Sequence, residues 1–205
     1  MSVYSNSQNI RRFNGGRAWQ YDSRGRILLE DEDQPARTKG EPITMRLILS
    51  DFGTPITEAH EMFPQISVAN ICAIIALESV RIRGGFNRDP NSYRKEARDY
   101  SAGLMQTLSG TAMRMKAKYT LPVPYIDRDS LCIPRVSILC GVAYLHNRSA
   151  EYETQDGMLL QAAYNAGGVY KSSKNEWKIR THGDDRTERF AQWHNDALCV
   201  LNEER

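Results

Sequence analysis

Glu78 is the side chain whose type and setting most invite chemistry. It closes the apolar run NICAIIALES, and at helical pitch Ile71, Ile74 and Ile75 fall within about 60° of it on one face. A carboxylate on such a face is desolvated, which disfavours its charged form. An acid held protonated near neutral pH can donate to a leaving oxygen, the step that cleavage of a glycosidic bond requires. The plainer alternative is a solvated glutamate, or one paired with Arg81 or Arg83.

Two further segments have spacing worth reading together with Glu78. Ser101-Ala102-Gly103-Leu104-Met105-Gln106 sets a glycine-led turn before an amide. Ala162-Ala163-Tyr164-Asn165-Ala166-Gly167 sets a Tyr-Asn pair at a helix end, where glycine lets the backbone reverse. Singly, each reads as a turn over core residues and an ordinary glycine cap.

The elements that position these residues are mainly helical. Ser67 is placed to cap a helix over SVANICAIIALESV, with Gly84 and Gly85 ending it. Residues 86–100 are polar and predict a loop with a short helical turn. Helices are expected over TAMRMKAKY, over residues 135–152 and 155–165, and over TERFAQWHNDALCVLNEE. The last is amphipathic, with Phe190, Trp193, Leu198 and Leu201 toward one side. Residues 1–44 differ: RAWQY-DSRG-RILLE predicts a β-hairpin with Asp22 first and Gly25 last in its turn, followed by a polar linker. A flexible arm is the competing reading of that segment. The expected organisation is an N-terminal arm over 1–44 and one mainly α domain over 45–205.

Composition narrows the function. With 27 basic and 25 acidic residues the net charge is +2, without the basic excess of a nucleic-acid binder. No apolar run reaches the eighteen or so residues that cross a bilayer, so no membrane insertion is expected. The opening MSVYSNSQNIRRFNGG lacks the apolar stretch of a secretory signal, so synthesis in the cytoplasm is expected. Cys72, Cys132, Cys140 and Cys199 fit no CxxC motif and read as free thiols. His60, His146, His182 and His194 are scattered, which predicts no metal site.

In order, ES at 78–79, GLMQ at 103–106 and AYNAG at 163–167 resemble the soluble lytic transglycosylase family, whose catalytic domain is related to goose-type lysozyme. NICAIIALES before the first motif and GVAYL at 141–145 join the match, which covers roughly residues 66–170. The resemblance implies a lysozyme-like helical domain acting on peptidoglycan without a cofactor. By motif, it implies that Glu78 is the catalytic acid/base and is followed by Ser79. Ser101, Gly103, Leu104, Met105 and Gln106 would line the glycan groove, and Tyr164 and Asn165 would sit beside the carboxyl. Glu78 would protonate the oxygen between N-acetylmuramic acid and N-acetylglucosamine, then take the C6 hydroxyl proton as a 1,6-anhydro ring closes.

The chain departs from the family pattern in VRIRGGFNRDP after ES, which is longer and more basic than the usual run, and in Tyr100-Ser101 before GLMQ. The C-terminal acidic residue of some members has only Glu188 as a weak counterpart. Asp99 is a weak candidate for a second carboxylate. It would make the chain a goose-type hydrolase, which needs a second acidic group. A third reading is a glycan-gripping component of a virion or secretion machine. Wall degradation in phage lysis or infection is the expected setting, with residues 1–44 as the candidate attachment to tail or virion proteins.

Overall fold

The computed structural model describes residues 10–79, 92–95 and 98–203. Among them it is mainly α, with two small antiparallel sheets of three strands each. In chain order the elements are β1 (Arg11–Arg12), β2 (Ala18–Tyr21), β3 (Ile27–Leu29), α1 (Ile43–Met62), α2 (Val68–Ser79), β4 (Ser92–Arg94), β5 (Asp99–Ala102), β6 (Thr107–Leu108), α3 (Ser109–Tyr119), α4 (Pro134–Glu151), α5 (Gly157–Ala166) and α6 (Arg186–Glu203).

Helix α1 forms because Met45, Ile48, Phe52, Ile56 and Ala59 recur at three- and four-residue spacing and make one buried stripe. Helix α2 is different: every residue from Ala69 to Ala76 is buried, so it is a core helix with no solvent face. The Ser67 hydroxyl accepts the Asn70 N–H at 3.2 Å, as expected of an N-cap. The expected stop at Gly84 and Gly85 lies outside the described residues. Helix α2 packs chiefly on α6 and α1, and α4 on α1, α3 and α5. One continuous apolar core joins these helices with Trp19, Ile27 and Leu29 of the first sheet.

The hairpin is present and ordered. Trp19 pairs with Leu29 and Tyr21 with Ile27, and Gly25, at φ +75°, closes the turn by donating to the Asp22 carbonyl at 3.0 Å. The sheet is fastened to α5 through Asp156, the N-cap of that helix. Its carboxylate accepts from the Met158 amide at 2.9 Å, Trp19 Nε1 at 3.0 Å, the Tyr21 hydroxyl at 2.8 Å and Arg11 Nη1 at 3.0 Å.

Residues 92–94 and 99–102 are strands rather than the expected loop and helical turn, and β5 pairs on to β6. Lys95 and Arg98 are turn residues, and 86–91, 96 and 97 lie outside the described residues. All four cysteines are free, and burial pushes the Cys72 and Cys140 thiols up to about 12, which leaves them unreactive. Cys132 and Cys199 are only partly buried. On α6 the buried stripe runs through Arg186, Phe190, His194, Ala197 and Val200, with Trp193 and Leu198 at its margin and Leu201 half-buried. No helix among the described residues is long and apolar enough to cross a membrane.

Candidate active site

The three motifs meet. Glu78 lies in the last turn of α2, and its neighbour Ser79 is buried and donates its hydroxyl to the Leu104 carbonyl. Residues 103–106 form the tight turn between β5 and β6, where Ala102 pairs with Thr107. Gln106 donates both its backbone N–H (3.2 Å) and its side-chain amide (2.9 Å) to the Gly103 carbonyl. Tyr164 of α5 completes the assembly by donating its hydroxyl to the Met105 carbonyl at 2.7 Å, while Thr107 Oγ1 lies 2.9 Å from the same phenol oxygen. Burial pushes the Tyr164 phenol well above its ordinary value, and the nearby Glu78 charge raises it further.

Two glycines explain why this turn fits where it does. Gly103 adopts φ +73°, and a Cβ there would lie 1.8 Å from the Leu131 carbonyl oxygen. Gly141 of α4 leaves room for Met105: a Cβ on it would lie 2.4 Å from the Met105 sulfur. The glycine of GVAYL is therefore the seat of the methionine of GLMQ. Ser137, one helical turn earlier on α4, accepts the Met105 N–H at 3.1 Å.

The carboxylate itself is shielded, with its side chain 11% exposed. Its partner is Arg186 at the start of α6, whose Nη2 lies 2.5 Å from Glu78 Oε1 and whose side chain is 6% exposed. The apolar face drawn from Ile71, Ile74 and Ile75 is buried as expected, but the glutamate one turn on ends against a cation. Arg81 and Arg83, the neighbours considered from sequence, lie outside the described residues, as does all of VRIRGGFNRDP.

The other expected site residues are placed as follows. Leu104 and Met105 are fully buried, so they meet the site through their carbonyls rather than their side chains. Ser101 is buried, donates to Gln106 Oε1 at 3.2 Å and accepts from Arg94 Nε at 3.4 Å. Asn165 accepts at Oδ1 from the His182 backbone N–H (2.6 Å), with His182 Nδ1 2.9 Å away, which ties the end of α5 to the loop before α6. Asp99 has one oxygen on the Tyr100 N–H and the other on the Gly110 N–H, both at 2.7 Å, and so serves the start of α3. Glu188 is half-buried on α6 and is approached by Gln192 at 3.4 Å.

A polar hollow of about 460 Å³ lies on the N-terminal sheet, lined by residues including Arg12, Arg17, Glu30 and Glu176. Among the described residues no three metal-ligating side chains cluster.

Sequence reasoning missed Arg186, Thr107, Ser137 and His182. For Arg186 a signal exists: it stands four residues before Phe190, on the buried stripe of an amphipathic helix, where an arginine needs a partner.

A family model described as "Transglycosylase SLT domain" matches residues 56–187. Among solved structures, an inactive mutant of the lytic transglycosylase Slt from Pseudomonas aeruginosa is similar at 19% identity and a TM-score of 0.42. That match covers 79% of this chain and 24% of the other, so the chain spans about a quarter of that protein's length. No curated protein matches the sequence.

Proposed function

Because the chain belongs to the transglycosylase SLT domain family, we propose that it is a peptidoglycan lytic transglycosylase with Glu78 as its single acid/base. The observation that carries this reading is the convergence on one shielded carboxyl: Ser79 is fastened to the Leu104 carbonyl and Tyr164 to the Met105 carbonyl, with Arg186 on Glu78 itself.

In the first step the Glu78 carboxyl gives its proton to the oxygen bridging N-acetylmuramic acid and N-acetylglucosamine, and the bond from that oxygen to the muramic C1 breaks. The N-acetyl carbonyl of the same sugar supports the positive charge left at C1. The C6 oxygen then bonds to C1, and its proton passes to the Glu78 carboxylate, which restores the acid. No water is consumed, so atoms balance with one anhydro end and one free N-acetylglucosamine 4-hydroxyl. Attack from within one sugar ring gains from proximity. Ser79, Leu104, Met105 and Tyr164 act as positioning residues, since all four are buried. Gln106 and Asn165 are half-buried and stand nearer to where glycan would lie.

Hydrolysis with Asp99 as a second carboxylate draws no support from the geometry, because both oxygens of Asp99 are engaged by backbone amides. The test is product analysis on purified sacculi, with Glu78→Gln made alongside the wild type. The expected outcome is release of 1,6-anhydromuropeptides by the wild type and a loss of roughly 10²-fold or more in the variant. Products one water heavier would replace transglycosylation by hydrolysis. A wild type that binds sacculi without clearing a peptidoglycan gel would reduce the chain to a binder.

A further inference from the structure

Arg186 and Glu78 come from positions 108 residues apart and join α6 to α2 with both side chains almost removed from water. Such a pair is a poor device for stability alone, because desolvating two ions offsets most of their attraction. The guanidinium is also incompletely used: its Nε is buried and has no hydrogen-bond partner. A buried donor left unmet costs free energy. A contact whose only task was to fasten two helices would gain nothing from that cost.

Position supplies the explanation. Among the described residues, the phenol of Tyr164 on α5 also feels the Glu78 and Arg186 charges, and Tyr144 of α4 stacks beside it. The β5–β6 turn brings only uncharged residues, Leu104, Met105 and Gln106. Arg186 is therefore the one cation described in contact with a carboxyl that, on the reading above, must both donate and accept a proton. Its charge-assisted hydrogen bond to one carboxyl oxygen restrains the direction in which that carboxyl faces.

We propose that Arg186 is a positioning residue for Glu78, fixing the orientation of its carboxyl for proton transfer. The proposal rests on Glu78 being the acid/base, and it adds a residue that the motifs do not contain.

The test is kcat and KM measured separately for sacculus solubilisation by wild type, Arg186→Gln, Arg186→Met and Arg186→Lys, with Glu78→Gln as control and each rate taken per folded molecule. Removing the guanidinium should lower kcat by roughly tenfold or more with KM little changed, as misplacing the carboxyl would. Arg186→Lys, which keeps a donor without the fork, should recover part of the lost kcat. Wild-type kcat in folded Arg186→Gln and Arg186→Met would overturn the proposal. Failure of both neutral variants to fold would also overturn it, by assigning the arginine to holding α6 on α2. If instead Glu78→Gln is as active as the wild type, the acid/base reading itself has failed, which the control distinguishes.

Discussion

Asp156→Ala removes four hydrogen bonds from a carboxylate that is 3% exposed. Their loss does not count equally. The Met158 amide loses an N-cap, worth about 1 kcal/mol. Trp19 Nε1 becomes a buried donor without a partner, at about 2 kcal/mol, and the half-buried Tyr21 hydroxyl loses its bond at about 1 kcal/mol. The Arg11 side chain is 52% exposed and is rehydrated, so its ion pair contributes little. The expected destabilisation is about 4 kcal/mol, a large part of the ordinary margin of a domain. For a chain of 205 residues this lowers Tm by roughly 10 °C. Urea unfolding followed by far-ultraviolet circular dichroism measures it directly. Asp156 is eight residues from Tyr164 along α5, about 12 Å at helical rise. Activity well below the new Tm should therefore stay near wild type. A loss under about 1 kcal/mol would refute the reasoning, since it would mean that the hairpin and α5 do not depend on their shared carboxylate.

Gly141→Ala should cost about 1–3 kcal/mol, because Met105 is fully buried and has nowhere to withdraw. Its activity should fall further than its stability explains, because the turn below Glu78 is displaced; urea midpoints and sacculus assays together check this. Tyr164→Phe leaves the Met105 carbonyl and the Thr107 hydroxyl short of a partner, at about 1–3 kcal/mol. It should reduce activity less than Glu78→Gln, and total loss with an intact fold would mean that the phenol acts on substrate. Burial lowers His194 from its ordinary 6.5 to about 4. Between those values the unfolded chain binds the extra proton, so stability rises with pH across the window and is lost as pH falls from about 6.5 through about 4, by about 3 kcal/mol. Urea midpoints across that range should show the slope, and His194→Gln should flatten it.

Much of this arrangement was legible in the sequence because it is local. The Asp22–Gly25 turn announces the hairpin, and apolar periodicity places α4, α5 and α6 to within a residue or two. The β4–β6 sheet was not legible. Its strands are two to four residues long and carry polar residues such as Asp99 and Tyr100, so no two-residue alternation develops. The motifs ES, GLMQ and AYNAG announce which residues gather, but not how. That Leu104 and Met105 offer carbonyls rather than side chains depends on Gly141 and Ser137, more than thirty residues away. Arg186 escaped for the same reason: a pairing across 108 residues leaves no trace in local pattern.

Helix α2 has no face that can be peeled from the core, since each position from Ala69 to Ala76 is enclosed. Local fraying, the usual first loss on warming, is thus denied to the body of that helix, one turn before Glu78. Melting of that stretch should therefore coincide with loss of the core packed around it rather than precede it.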